Sequence, residues 1–363
     1  ALIWPTPPET GHQTSPSLGT VVERLRATSR RAAPALVAEL LARLDAPGRY
    51  ALLKLVTGGL RIGVSARLAK TALAEFGGRD IAEIEELWHG LAPPSEDLFA
   101  WLAGRGPKPV QAAACPVRPV MLATPLDEAG LADLNPTEFV AEWKWDGIRV
   151  QASATDGTRR LYSRTGDDIG TAFPDLIAAM DFDATIDGEL LVRRPDGRPA
   201  PFSELQQRLN RKTVSAAQLR DRPAMLRAYD LLFVGSEDLR GCPFSERRAR
   251  LERLMAGLDP ERFDQSELVS FADWETLARL RADPPDPVIE GLILKRADST
   301  YVAGRPKGPW FKWKRDPHRI DAVLMYAQRG HGKRSGYYSD YTFGVWDGDA
   351  LVPVGKAYFG FTD

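Results

Sequence analysis

The chain has 363 residues, 44% hydrophobic and 27% charged, with 31 glycines and 28 prolines spread along it, which suits two or three globular domains and excludes collagen-like or disordered classes. No apolar run reaches the roughly 18–20 residues that span a bilayer, and no basic start, apolar block and small-residue cleavage site opens the chain, so a soluble cytoplasmic location is expected. Cys115 and Cys242 stand far apart and the four histidines are scattered, which excludes a disulfide framework and a cysteine zinc site; the net charge of −1, taken alone, argues against a nucleic-acid partner.

Residues 18–104 predict helices, because Leu36, Leu40, Leu41 and Leu44 recur at helical spacing, as do Leu68, Ala72, Leu73 and Phe76. Ser65 and Ser95 stand where N-caps belong, and Pro47-Gly48, Gly58-Gly59 and Gly77-Gly78 read as helix stops. Between Thr20 and Arg79 there are eleven Lys/Arg against four Asp/Glu, whereas Asp80 to Gly104 carries six acids and no Lys or Arg. The small net charge is therefore a cancellation between stretches, and a local basic footprint survives it. Five prolines between Arg105 and Pro125 predict a linker.

From about Asn135 short β-rich runs take over, at Phe139–Lys144, Ile148–Ser153, Thr185–Val192, Leu226–Val234 and Ile289–Leu294. Helical patches at Ala172–Met180, Ser245–Met255 and Asp273–Arg281 make this an α+β region. After Pro317 the runs Ala322–Ala327, Tyr337–Trp346 and Leu351–Phe359, punctuated by glycines, look like the start of a small barrel of the oligonucleotide-binding (OB) type. The expected organisation is 1–104, a 105–125 linker, 126–317 and 318–363. A start at Ala1 and a stop at Asp363 directly after a strand-like run make both ends look cut.

The sharpest local feature is Glu142-Trp143-Lys144-Trp145-Asp146-Gly147-Ile148-Arg149. Period two puts Glu142, Lys144 and Asp146 on one strand face and the two tryptophans, as anchors, on the other, with Gly147 allowing the turn into the next strand. Asp187-Gly188-Glu189 and Glu290-Gly291 place further carboxylates beside apolar strands, which is costly unless they are paired or bind a cation. Two acids without a Cys/His cluster suit a hard ion such as Mg²⁺. In Trp310-Phe311-Lys312-Trp313-Lys314 two lysines share a face opposite aromatic residues, which suits polyphosphate. A merely solvated or internally paired strand face is the competing reading of each run taken singly. No P-loop and no Rossmann fingerprint is present.

As an ordered set, these runs resemble the ATP-dependent DNA ligases of the covalent nucleotidyltransferase superfamily, and more narrowly bacterial ligases of the cisplatin-damage response. Lys144-Trp145-Asp146-Gly147-Ile148-Arg149 matches the nucleophile motif; Ser163-Arg164-Thr165-Gly166, Asp187-Gly188-Glu189, Tyr229-Asp230-Leu231-Leu232, Glu290 to Lys295 and Lys312-Trp313-Lys314 match the motifs that follow. Leu60-Arg61-Ile62-Gly63-Val64-Ser65 resembles a segment of the helical domain of larger ligases. The resemblance implies a multidomain chain with an all-α DNA-binding domain, an α+β nucleotidyltransferase (adenylation) domain and a partial OB-fold barrel.

It also implies a chemistry. Lys144 attacks the α-phosphate of ATP, releasing pyrophosphate and giving a lysyl-AMP phosphoramidate; the AMP passes from Lys144 to the 5′-phosphate of nicked double-stranded DNA, and the 3′-hydroxyl displaces AMP to seal the strand. Glu142 accepts from the adenine amino group, Tyr229 stacks on the base, Arg149 and Arg164 bind ribose or phosphate, and Lys312 and Lys314 contact the α-phosphate. Mg²⁺ lies near Glu189 and Glu290, Glu189 being equally compatible with a ribose contact; Asp146 is assigned to positioning. Lys144 must lose a proton to attack, and burial beside Lys312, Lys314 and Arg149 is expected to help, with Glu142 opposing. DNA contacts are expected from Arg61, against a plain helix–helix turn, and from Lys333 and Arg334, against an ordinary charged hairpin. A monomer without a membrane partner is expected. The alternatives are an RNA ligase, a GTP-dependent capping guanylyltransferase, or a non-catalytic DNA-binding scaffold. The family's last motif, in the barrel, has no counterpart before Asp363.

Overall fold

The structure, a computed structural model, describes residues 16–60, 63–91, 95–109, 115–209, 211, 213–317, 319–330 and 335–358. None of the described helices is long and apolar enough to cross a membrane.

The first described third is helical: α1 (Leu18–Ala27), α2 (Ala33–Ala42), α3 (Ala46–Val56), α4 (Ala66–Gly77), α5 (Ile81–Trp88) and α6 (Glu96–Leu102). The expected caps form: Ser65 Oγ accepts from the Leu68 N–H at 3.2 Å and Ser95 Oγ from Leu98 at 3.4 Å. Gly78 ends α4 with a left-handed φ of 57°. Pro47-Gly48 is not a stop. Asp45 caps α3 by accepting from the Gly48 N–H at 2.8 Å, and Pro47 falls in the first turn, where a missing N–H costs nothing. Of the predicted helical faces, Leu36, Leu40 and Leu41 bury in one cluster with Leu44 packed against it, whereas of the second set only Leu73 packs on a cluster, around Ile84, Leu87, Leu98 and Trp101, and Leu68, Ala72 and Phe76 are exposed, so that face of α4 does not point to the core.

The strands follow as β1 (Thr124–Pro125), β2 (Phe139–Trp145), β3 (Ile148–Thr155), β4 (Thr158–Ser163), β5 (Ala184–Val192), β6 (Ala224–Val234) and β7 (Glu237–Asp238). After them come β8 (Phe263–Gln265), β9 (Leu268–Val269), β10 (Ile289–Arg296), β11 (Trp310–Lys314), β12 (Val323–Arg329), β13 (Tyr338–Asp347) and β14 (Ala350–Ala357). Among the helices between them are α7 (Glu128–Leu131), α8 (Pro174–Ala179), α9 (Phe202–Gln206), α10 (Ala216–Asp221), α11 (Phe244–Met255) and α12 (Trp274–Ala282). One sheet runs β1-β11-β10-β2-β9 and a second β4-β3-β5-β6-β7, with β8 on β6. The second sheet packs its apolar face around Val150, Leu161, Phe173, Ile186 and Leu251. The third sheet, β12-β13-β14, contains the three strands expected after Pro317 but no closed barrel among the described residues.

The expected linker ends well before Pro125. Cys115, Val117 and Met121 are buried, Leu122 donates its N–H to the Gly304 carbonyl at 2.6 Å, and Thr124 pairs with Phe311. Proline removes one donor but leaves carbonyls and neighbouring N–H groups to pair, so a Pro-rich segment can be built into a fold.

Three of the six acids in the acidic stretch are paired internally. Glu83 pairs with Lys108 at 2.8 Å and Glu85 with Lys70 at 3.8 Å. The Glu86 carboxylate, on α5, is gripped by two arginines of the strand region, Arg118 at 2.8 Å and Arg240, whose guanidinium groups both lie over the Phe233 ring. His89 packs on the turn after β4 so closely that a Cβ on Gly166, whose φ is 88°, would lie 2.4 Å from its ring.

Candidate active site

Register sets the site. Gly291 of β10 lies between Lys144 of β2 and Lys314 of β11, and two residues along Ile293 lies between Glu142 and Lys312. Period two therefore gathers these four charged side chains on one face. The opposite face carries Trp143, Leu292 and Trp313 into the core, as expected for Trp143. Trp145 departs from expectation: it lines the cavity, with the Arg227 guanidinium 4.1 Å from its ring centroid, rather than anchoring the core.

Glu290 reaches the lysine face through a β-bulge. Between Ile289 and Gly291 the pairing with β2 shifts by one, which leaves Glu290 as the extra residue. Its Oε2 accepts from Lys144 Nζ in a short hydrogen bond and lies 3.2 Å from Lys314 Nζ. Gly291 supports the bulge with a φ of 148°, and a Cβ there would sit 2.3 Å from the Trp313 carbonyl oxygen. Gly147 stands in the expected bend between β2 and β3, without a positive φ, and has a second reason: a Cβ would lie 2.6 Å from the Leu190 carbonyl oxygen, so the glycine admits β5 against the end of β2.

The opposing wall comes from β3 and β5, where Arg149 pairs in register with Glu189. Arg149 is committed to the protein: its Nε and Nη2 donate to the two Asp187 oxygens at 3.0 and 2.6 Å, and Nη1 donates to the Met121 carbonyl. Tyr301 Oη donates to the same buried Asp187 at 2.7 Å. Glu142 is buried as well, with Lys295 Nζ 2.9 Å from Oε2 and Arg248 Nη1 3.2 Å from Oε1.

All nine candidates for catalysis, nucleotide and metal (Glu142, Lys144, Arg149, Arg164, Glu189, Tyr229, Glu290, Lys312, Lys314) line one cavity of about 450 Å³. Arg61, Lys333 and Arg334 lie outside the described residues. Lys295, Arg305 and Trp310 line the same cavity with no role foreseen for them. The signal for Lys295 was present: it ends an apolar strand two residues beyond Ile293, on the cavity face.

Burial pushes the Glu189 carboxyl up to about 8, with Lys144 and Arg149 opposing and Asp187 and Glu290 adding to the rise. Burial acts the same way on Glu290, yet its bonds to Lys144 and Lys314 prevail and hold it below the usual carboxylate range. Burial, then the bond with Glu290, raises Asp146. Lys312 is lowered by burial and by the cations Arg305, Lys314, Lys144 and Arg164. Lys144 itself rests in an ion pair with Glu290. The indole N–H groups of Trp145 and Trp310 are buried without a protein acceptor.

Glu189 and Glu290 are hard oxygen donors of the kind Mg²⁺ takes. No group of three or more His, Cys, Asp or Glu able to hold a metal occurs among the described residues, and two hard carboxylates completed by substrate phosphate and water suit that ion.

Residues 120–314, which contain every wall of this cavity, match the family model described as the ATP dependent DNA ligase domain. The chain belongs to this family. A "Probable DNA ligase" of Koribacter versatilis is 35% identical over 98% of this ligase-family chain and 66% of its own length; a "DNA ligase" of Natronomonas pharaonis is 32% identical over 86% and 57%. The chain therefore spans less than two-thirds of the length of these relatives. The solved structure of a Lig E DNA ligase matches it with a TM-score of 0.50 at 22% identity, over 68% of this chain and 86% of that one, a likeness of fold.

Proposed function

We propose that the chain seals nicks in double-stranded DNA with ATP, through a lysyl-AMP intermediate formed on Lys144. One observation carries the reading: Lys144, Glu290 and Lys314 meet as one ion-paired group in a cavity whose walls also hold an acidic residue, an aromatic ring and further cations. Such a set binds a nucleotide and supplies an amine to its phosphate. Lys144 has to leave the Glu290 pair and lose its proton before attacking the α-phosphate. The Lys314 ammonium, held by the same carboxylate oxygen, then faces the negative charge that develops on the phosphorus oxygens, joined by Lys312.

Glu142 accepts from the adenine amino group and Tyr229 stacks on the ring. Arg149, fixed by Asp187, braces the ribose side, and Arg164 enters from the turn beside His89. Glu189 and Glu290 hold Mg²⁺, which when bound offsets phosphate charge. The helical unit, with Arg26, Arg30, Arg31 and Arg67 exposed, contacts the duplex backbone, and β12–β14 form part of an OB-type barrel.

The test is incubation with α-labelled ATP or GTP and Mg²⁺, followed by denaturing electrophoresis and a nick-sealing assay. Acid-labile label from ATP, lost in Lys144→Ala, is expected. Label that survives the substitution, or that comes only from GTP, refutes the assignment.

A further inference from the structure

The buried end of β10 carries a lysine that the reaction scheme does not use. Lys295 is 1% exposed, and its ammonium is surrounded by three rings, with Nζ 4.5 Å from the Phe244 centroid, 4.6 Å from Trp310 and 5.0 Å from Tyr229. Its hydrogen bonds go to both candidate base contacts: it lies 2.9 Å from Glu142 Oε2 and donates to the Tyr229 carbonyl at 2.9 Å. The other oxygen, Glu142 Oε1, accepts from Arg248 Nη1, which is itself anchored on the Ser266 carbonyl at 2.7 Å. A lone buried lysine costs several kcal/mol, on the order expected for unpaired buried charge, so its position here requires its partners.

We propose that Lys295, supported by Arg248, is a positioning residue for base selection: it fixes the Glu142 carboxylate as an ionised, acceptor-only group in front of the purine 6-position and ties that group to the Tyr229 ring. The inference rests on the nucleotide site proposed above and deepens it. An ionised carboxylate has two acceptor oxygens and no proton to donate. It therefore takes the 6-amino group of adenine and repels the 6-keto oxygen of inosine or guanine, a mismatch that leaves buried acceptors facing each other. Each Glu142 oxygen spends one lone pair on a cation; burial raises the carboxyl, and the Lys295 and Arg248 charges oppose that rise and so favour the ionised form.

The contrast of ATP with inosine triphosphate confines the change to this edge of the base, since the two differ only in the 6-substituent and in the proton that the 6-keto base carries on N1. Equilibrium binding is measured by calorimetry, and lysyl-AMP formation gives KM and kcat separately. The unaltered chain is expected to prefer ATP by at least about tenfold, and Lys295→Met to narrow the preference to about threefold or less, mainly through KM. In a Glu142→Gln background, where there is no charge to hold, Lys295→Met is expected to cost less than about twofold in ATP affinity. A purely structural lysine would lose the same factor in both backgrounds. If Lys295→Met does not fold, Arg248→Met undergoes the same pair of measurements at the other oxygen. An unchanged ATP preference in the folded variant, or equal losses in both backgrounds, overturns the inference while leaving the ligase reading intact. Failure of the unaltered chain both to bind ATP and to form lysyl-AMP removes the ligase reading and this inference with it.

Discussion

Gly291→Ala is the most severe test of how the site is built, because it adds one methyl group and removes no functional atom. The added Cβ would lie 2.3 Å from the Trp313 carbonyl oxygen, 2.7 Å from the Lys314 Cα and 3.0 Å from the Arg315 nitrogen. All three are backbone atoms that cannot rotate away. A φ of 148° adds backbone strain of about 1–3 kcal/mol, and overpacking against fixed backbone costs about 1–3 kcal/mol more. A loss of about 2–6 kcal/mol lowers the melting temperature by about 4–24 °C in a unit of this size. The strain falls between Glu290 and the two lysines it bonds, so lysyl-AMP formation should drop at least about a hundredfold even below the melting range. Gly304→Ala is the matched control: its φ of 84° is strained, but nothing lies within 4 Å of the new Cβ, so it should cost only about 1–2 kcal/mol. Differential scanning calorimetry and nucleotide labelling of both variants decide the matter. If Gly291→Ala melts no lower than Gly304→Ala and labels normally, the bulge does not hold Glu290 in place as argued.

Three further outcomes are expected. Asp230→Asn leaves the fully buried Arg247 guanidinium short of its partner carboxylate, so urea unfolding should show a loss of about 3–5 kcal/mol; a loss below about 1 kcal/mol refutes the pairing as a buried one. Glu86→Ala removes the acceptor shared by Arg118 and Arg240, and α5 should exchange its amide hydrogens at least about tenfold faster with the β-sheets unaffected; unchanged protection of α5 would show that the clamp carries no load. Glu189 titrates near 8 in the folded chain, so below that pH a divalent ion must displace a proton; apparent Mg²⁺ affinity should rise up to about tenfold per pH unit to pH 8 and level off above it. That slope should vanish in Glu189→Gln, and a flat profile in the unaltered chain between pH 6 and 8 contradicts the assignment.

The site was legible where function depends on period two. Glu142, Lys144, Lys312 and Lys314 alternate with aromatics, and alternation survives any register that keeps the apolar face inside. What could not be read was the register itself: nothing local says that Lys144 and Lys314 flank Gly291, or that a bulge turns Glu290 toward them. Gly147 is legible as a turn residue, but its second constraint, the close approach of Leu190 on a strand far off in sequence, is not. Pro47 was taken as an ending although it sits equally well in a first turn, an ambiguity that the Asp45 cap resolves. Lys295 was passed over because a lysine at a strand end looks solvated until its three rings and Glu142, all distant in sequence, close around it.

The pairing of the acidic stretch bears on how the molecule meets a distant polyanion. Glu83, Glu85 and Glu86 are each neutralised at contact distance, so their fields die out within a few ångströms, whereas the exposed arginines of α1, the turn after it and α4 project theirs outward. A chain with formal charge −1 thus still presents a local positive face on the helical unit, at Arg26, Arg30, Arg31 and Arg67. Its encounters with any extended polyanion should be guided in orientation before contact, and should slow as ionic strength shortens the reach of that field.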